Sequence, residues 1–448
     1  MQLSAACAAL NGKLIGEDRR FSGCSYDSRT LQPGELFIAL RGAARDGHDF
    51  IPDALAKGAG GALVDREAAY PLPVVRVEDA RKQAGLLAGH WRAGFDLPVI
   101  AVTGSNGKTT VKEMINSILS VNSEVLSTRG NLNNDIGVPL TLFRLAPGHR
   151  FAVVEMGANH AGEIRWLSRI TRPDVALITQ CAPAHLEGFG SVEGVARAKA
   201  EIYEGLAPNG TAIVNIDDDY CGMWLECSGK NRQITFGMGA KADVTATNIN
   251  TDLAAGRTRF DLEYRTGKVN TELGLYGGHN VANALAAAAC CVALDIPLEQ
   301  VKAGLEKVRP IKGRMQLKTG LRDVRVFDDT YNANPMSLNA ALKVVCELQG
   351  RSWLILGDMG ELGETSARFH EQAGAQARTL GIERLYGIGE LAAHSVKGFG
   401  AGARHFSLMD DLVEALRRDL QPGVVLLVKG SRSMALERVV NALTEESR

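Results

Sequence analysis

Apolar runs and turn signals alternate along the chain in a rhythm that changes from block to block. Up to about Asp96, short runs such as Leu36-Phe37-Ile38-Ala39-Leu40 follow turn residues such as Pro33-Gly34, which predicts short strands. From residue 97 the pattern becomes strand, turn, helix. The apolar stretch 97–102 precedes a glycine-rich turn, and a helical pattern follows over 111–119. Further strands are expected at 151–155, 175–179 and 212–215. Apolar strands separated by helices belong to a parallel sheet covered on both faces. A polar, threonine-rich segment at 243–276 breaks the rhythm and predicts antiparallel strands, ahead of an alanine-rich helix at 280–294. The pattern breaks again at 310–313. Beyond it, strands are expected at 324–328, 353–356, 384–388 and 424–428, with helices between them as in an open doubly wound sheet.

These patterns predict an α/β protein of three domains. Residues 1–96 would form a small α/β N-terminal domain and 97–311 a central parallel-sheet domain with an antiparallel insert. Residues 312–448 would form a Rossmann-like C-terminal domain. The length of 448 residues agrees, at roughly 150 residues per domain. Fifty basic residues against fifty-one acidic ones leave a net charge of −1, so neither nucleic acid nor an anionic membrane is an expected partner. The eight cysteines include no C-x-x-C pair, which argues against a zinc site and a disulfide framework and suits a reducing compartment. Residues 1–14 lack the pattern of a signal peptide, and apolar stretches such as 284–294 are too short to span a bilayer. A cytoplasmic monomer is the expectation.

The sharpest chemical signal is Thr103-Gly104-Ser105-Asn106-Gly107-Lys108-Thr109-Thr110, between an apolar strand and a helix. Glycines let backbone N–H groups turn inward around phosphate oxygens. Lys108 adds positive charge near the terminal phosphates, and the Thr109 hydroxyl can ligate magnesium. Val102 stands where the general phosphate-loop pattern has its first glycine. Two further strand ends would converge on this loop. Glu155 closes one, where a carboxylate can hold magnesium directly or through water. His185 follows another, although a lone histidine is more often structural. These parts establish ATP use but not the reaction, since a motor or switch would share them.

With these residues in view, the chain resembles the Mur ligase family along nearly its whole length. The phosphate loop matches the family's ATP motif, with the same glycine missing. Gly130-Asn131-Leu132-Asn133-Asn134-Asp135-Ile136-Gly137 is similar to the family's substrate loop. The resemblance implies ATP-dependent amide-bond formation with two magnesium ions, held by Glu155, His185 and Lys199. Lys199 would be carboxylated on its amine, which turns a cation into a metal-binding anion. Gly278-His279-Asn280 with Asn283 matches the adenine-contacting segment, and Arg314 a residue that reaches the γ-phosphate. Asp328 or Asp329 would bond the ribose, and the sequence leaves open which. ATP would then sit between the second and third domains.

In the first block, Asp27-Ser28-Arg29-Thr30 and Asp46-Gly47-His48-Asp49-Phe50 resemble a nucleotide-sugar module of the family. Ser28, Arg29, Thr30, Asp46 and His48 are its candidate contacts. Asp329-Thr330-Tyr331-Asn332-Ala333-Asn334-Pro335 and Gly357-Asp358-Met359-Gly360-Glu361-Leu362-Gly363 resemble members that join D-alanyl-D-alanine to a UDP-N-acetylmuramoyl (UDP-MurNAc) tripeptide. Asn133, Asn134, Asn159, Asn332 and Asn334 are the candidate peptide contacts. The Asp-Asn-Pro-Arg string of the diamino-acid-adding member is absent from the sequence. A sister ligase is the nearest alternative, and a phosphate-loop switch or motor the alternative from another class.

Overall fold

Fully buried β-branched and leucine-rich runs form the centres of three sheets in the computed structural model, which describes residues 1–42, 44–239 and 241–444. The first sheet has five short strands, four of them parallel, with Lys13–Ile15 pairing antiparallel at one edge. Three helices accompany it, Leu3–Leu10, Ile51–Ala56 and Ala80–Ala93, which the sequence pattern had not separated from the strands. The last of these buries Ala84, Leu87 and Ala88 against the central block. Gly85 on that helix leaves room for the Trp166 ring, which a methyl group there would meet at 2.8 Å. One continuous apolar cluster therefore runs from Leu3 through Leu87 to Val214, and the first two blocks share a core.

The central sheet orders nine strands. Within it the strand Val99–Thr103 lies between Phe151–Glu155 and Val175–Ile178, all parallel, so the strand ends bearing Thr103, Glu155 and Thr179 lie together. The segment expected as an antiparallel insert continues this same sheet. Val244–Asp252 pairs parallel with Arg232–Phe236, and the strands Arg257–Tyr264 and Gly267–Leu273 follow antiparallel. The alternating burial of Arg257–Tyr264 explains its polar sequence, because one face is wet. The helix Lys108–Leu119 starts three residues before the expected 111, since Gly107 with φ +81° ends the loop. The alanine-rich helix spans Gly278–Val292, and its small side chains allow close packing on Lys108–Leu119.

The third sheet has six strands, five of them parallel. Arg325–Asp329, Val424–Lys429, Arg351–Gly357 and Arg384–Ile388 lie side by side, with Gln316–Thr319 antiparallel at one edge. The mostly exposed, polar run Ala403–Phe406 made that outer strand hard to find in the sequence. No helix of the described residues is long and apolar enough to cross a membrane.

The helix carrying the phosphate loop is clamped from behind by Leu298–Leu305. There a methyl group on Gly304 would lie 2.2 Å from the Ile118 backbone. Gly304→Ala is therefore expected to destabilise the protein by about 1–3 kcal/mol through overpacking. Thermal melting reads this directly, and an unchanged transition would show that the two helices separate freely.

Candidate active site

The phosphate loop is tied to the end of the strand Val175–Ile178 beside it. Thr179 Oγ1 donates to the Asn106 carbonyl at 2.6 Å, and Ser105 N–H donates to the Gln180 carbonyl at 2.8 Å. Gly104 (φ +148°) passes so close to Thr179 that a methyl group would lie 1.8 Å from its Oγ1. Lys108 Nζ donates to the Gly104 carbonyl at 2.7 Å, which folds the ammonium over the loop. A second and third N–H remain for a ligand.

A cavity of about 790 Å³ opens beside this loop, between the central and C-terminal domains. Ser105, Asn106, Gly107, Lys108 and Thr110 line it, whereas Gly104 and Thr109 lie behind its wall. Glu155, His185, Lys199, Asn280, Asn283, Arg314 and Asp329 also reach it, so the sequence candidates from six further segments are brought to the loop. Asn280 accepts from Asn283 Nδ2 at 3.0 Å and donates to the Tyr276 carbonyl, which sets both amides on one face of their helix. Of the two aspartates, Asp329 faces the cavity. Asp328 is buried behind the strand, bonded to Thr330 and 3.5 Å from Lys318. Asp329 accepts from Met315 N–H at 3.1 Å and from Lys429 Nζ at 2.5 Å, the residue opposite it in parallel register.

The cleft is closed by direct contacts across the domain boundary. Arg314 donates to Thr109 Oγ1 at 2.8 Å while its guanidinium lies 4.2 Å over the Tyr331 ring. Asn106 and Asn334 exchange amide hydrogen bonds, the shorter at 2.7 Å. Asn334 also caps the helix Pro335–Glu347 in a capping box with Ser337, so its side chain has two structural duties. Asn133 donates to Glu155 Oε1 at 2.8 Å, Asn134 caps the helix Gly137–Phe143 through Gly137 N–H, and Asn159 and Asn332 lie on the cavity wall.

Positive charge dominates the bottom of this cleft. Lys108 lines it half-buried, and desolvation followed by the Arg314 charge holds its ammonium below the usual range. Glu155 and Glu361 act in the opposite sense. Lys199 is 3% exposed, and burial reinforced by Lys108 pushes its ammonium down to about 7. No carboxylate among the described residues pairs with it. The helix Val192–Ala200 that carries it is capped by Ser191 and pinned by Trp224, whose Nε1 donates to the Ala196 carbonyl at 3.2 Å.

The donor set fits magnesium. Glu155 Oε2 is buried without a hydrogen-bond partner, a costly arrangement that a hard cation would relieve. No cluster of three His, Cys, Asp or Glu side chains gathers among the described residues, which disfavours a zinc site. It suits an ion that takes one or two protein ligands and completes its shell with water and phosphate.

The first-block candidates lie apart from this cavity. Ser28, Arg29 and Thr30 follow the strand Cys24–Ser25, and Asp46 and His48 follow Leu36–Ile38, so both groups lie at the carboxyl edge of the parallel sheet. Arg29 and Thr30 are exposed; Ser28 is buried. Arg29 holds Asp27 in a two-pronged pair that keeps its carboxyl at about 2. His48 departs from its expected role. Its ring is fully buried, with Nδ1 2.6 Å from Asp46 and Nε2 accepting from Asp65 N–H, so it braces the loop. Arg81, in the first turn of the helix Ala80–Ala93, joins this edge to the substrate loop through both oxygens of Asp135, at 2.5 and 2.9 Å. The sequence reading missed that pair. It also left Glu361 without a role, although Oε2 of Glu361 lies 2.6 Å from His185 Nδ1.

Known proteins match nearly the whole chain. The family model for the Mur ligase middle domain matches residues 102–291, that for the Mur ligase glutamate ligase domain residues 313–432, and that for the Mur ligase family catalytic domain residues 20–91. The chain is 44% identical over 446 residues to the UDP-N-acetylmuramoyl-tripeptide–D-alanyl-D-alanine ligase of Escherichia coli (strain K12), covering 99% of this chain and 98% of that one. It is 40% identical to the Haemophilus influenzae protein of the same description, covering 98% and 97%. The crystal structure of MurF from Acinetobacter baumannii superposes with a TM-score of 0.92 at 35% identity, over 98% of this chain and 97% of that one. MurF ligase from Thermotoga maritima, solved in complex with ADP, gives 0.82 at 27% identity, over 95% and 96%.

Because Gly107 needs a positive φ and a methyl group there would lie 2.5 Å from Asn283 Oδ1, Gly107→Val strains the loop and displaces the amide together. Strain of about 1–3 kcal/mol corresponds to roughly a 5- to 150-fold loss of affinity for a non-hydrolysable ATP analogue. Titration calorimetry measures it, and undiminished affinity would separate this turn from nucleotide binding.

Proposed function

The chain belongs to the Mur ligase family, and from that premise we propose that it joins D-alanyl-D-alanine to UDP-MurNAc-tripeptide at the expense of ATP. It is an amide-bond-forming ligase of peptidoglycan synthesis, giving UDP-MurNAc-pentapeptide, ADP and phosphate. The observation that carries this reading is the cationic cleft between the central and C-terminal domains. In the first step a carboxylate oxygen of the tripeptide attacks the γ-phosphorus of ATP, and ADP leaves. In the second the neutral amine of the dipeptide attacks the acyl phosphate carbonyl, and phosphate leaves as the amide forms.

The first step brings two anions together, and the chain's own cations answer that repulsion. Lys108 spans the loop and the transferring phosphoryl group, while Arg314 approaches from the other domain. The backbone N–H groups of 106–110 cradle the phosphates, Asn280 and Asn283 present amides to adenine, and Asp329 accepts from the ribose. Glu155, His185, the Thr109 hydroxyl and a carboxylated Lys199 are the groups that would hold magnesium. When bound, that ion would neutralise phosphate charge as a Lewis acid. Closure excludes water, which would otherwise hydrolyse the acyl phosphate.

We assign residues 1–96 to the UDP-sugar and 97–311 to ATP, with 312–448 closing the cleft and receiving the dipeptide. The carboxyl edge of the first sheet, linked by Arg81 to the substrate loop, supports the first assignment. We assign the enzyme as a monomer, and the reaction with ATP and a UDP-linked precursor to the cytoplasm. A lysine held near 7 is largely neutral above that pH, and only the neutral amine captures CO₂. Carboxylation of Lys199 is thus supported by its burial, its missing partner and its depressed ammonium.

Phosphate release should require tripeptide precursor and D-alanyl-D-alanine together; release with precursor and a single D-amino acid instead would select a sister ligase. Lys108→Ala should lower turnover by at least about a hundredfold, the scale for losing one preorganised electrostatic group. Near-wild-type turnover would remove Lys108 from the chemistry. Lys199→Ala should lose activity and regain part of it with added short carboxylates. In the wild type, a ¹³CO₂-derived carbamate resonance should fade as pH falls through about 7. A fully active Lys199→Ala enzyme, or a carbamate-free wild type, would exclude the modification.

A further inference from the structure

Glu361 has no part in the steps above, yet it makes the shortest contact between the C-terminal domain and the group of residues assigned to magnesium. It lies in the loop after the strand Arg351–Gly357, and this loop is fastened on three sides. Met359 N–H donates to His370 Nε2 at 2.9 Å, Gly360 N–H to Ser431 Oγ at 2.6 Å, and Leu186 N–H to the Glu361 carbonyl at 2.8 Å. Gly363 lies against Glu187 of the facing loop.

Glu361 and His185 both adopt left-handed backbone conformations, at φ +63° and +53°. Such conformations are uncommon for residues with a side chain and persist where surrounding contacts enforce them. Here they turn two side chains toward each other across the domain boundary. Oε2 lies 2.6 Å from Nδ1 but approaches oblique to the ring N–H, and catalytic hydrogen bonds often tighten only once the ligands are bound. Lys108 also acts on the Glu361 carboxylate, so the pair belongs to the phosphate centre electrically as well as spatially.

A histidine that binds a metal through one ring nitrogen commonly donates the other N–H to a carboxylate, which fixes the tautomer and the ring plane. We propose that Glu361 is a positioning residue that accepts the Nδ1–H of His185 when the C-terminal domain closes, leaving Nε2 bare toward the cleft. The inference rests on the assignment of His185 as a magnesium ligand. It makes domain closure and completion of the cation site one event, because the orienting carboxylate arrives from the moving partner.

The test uses the full-length protein, ¹⁵N-labelled at histidine, metal-free and closed with a non-hydrolysable ATP analogue. Long-range ¹H–¹⁵N spectra report the His185 tautomer without turnover, so failure here is distinct from failure of the ligase reading. The wild type should hold the Nδ1–H form, and Glu361→Gly, which removes the carboxylate while relieving the backbone, should lose it. The magnesium concentration for half-maximal activity should rise about 10- to 100-fold in that variant. Glu361→Gln keeps a carbonyl acceptor and should restore both readouts to within about threefold, and it serves as the folded comparison if the glycine variant melts early. An unchanged tautomer or magnesium requirement in Glu361→Gly overturns the proposal. So does a Glu361→Gln enzyme that holds the tautomer yet remains inactive, since the carboxylate would then act directly on a ligand.

Discussion

Cations buried with too little protein charge to balance them govern this molecule. Lys108 and Lys199 are carried into one cleft, Arg314 closes over it, and Glu155 and Glu361 are the carboxylates that act against the Lys108 charge. Desolvating an ammonium costs several kcal/mol unless it is paired or gives up its proton. Burial weakens the hold of both ammonium groups on their protons, and the cleft as a whole is stabilised by whatever polyanion enters it. A triphosphate with its metal supplies that charge. The same imbalance lets a carboxylate approach the γ-phosphate, an encounter that the repulsion of two anions opposes.

The rest of the fold serves to hold this imbalance in place. Each sheet offers the carboxyl ends of its parallel strands, where side chains and helix N-termini can converge on a ligand. In the central sheet those ends deliver the glycine loop, Glu155 and Thr179; in the third they deliver Asp329 and Lys429. The first sheet is attached by a shared core and by Arg81, and its carboxyl edge meets the loop that carries Asn133. Asn133 in turn holds Glu155. A continuous path of contacts thus connects the outer domain to the charged centre.

Strongly periodic segments made the α/β class and the three-block order legible in the sequence, because buried parallel strands must be apolar on both faces. The phosphate loop was legible because its chemistry is local, with glycines, lysine and threonine within eight residues. What escaped depended on register or on approach between domains. Asp328 and Asp329 are adjacent, and only the pleat decides that Asp329 meets the cavity and Lys429. Glu361 stands in a glycine-rich loop, and nothing local says that closure will bring it to His185. His48 sits among polar residues as a ligand contact would, yet the neighbouring carboxylates bury it as a brace. The continuation of the central sheet through Val244–Asp252 was hidden because its wet face interrupts the apolar pattern.

The central claim is that this cationic cleft activates a carboxyl group by phosphorylating it, and atom transfer tests that without reference to any one side chain. Tripeptide precursor labelled with ¹⁸O in its terminal carboxylate, turned over with ATP, magnesium and D-alanyl-D-alanine, should pass one labelled oxygen to each phosphate released, seen as a shifted ³¹P resonance. Amide formation with phosphate free of the label would contradict the account.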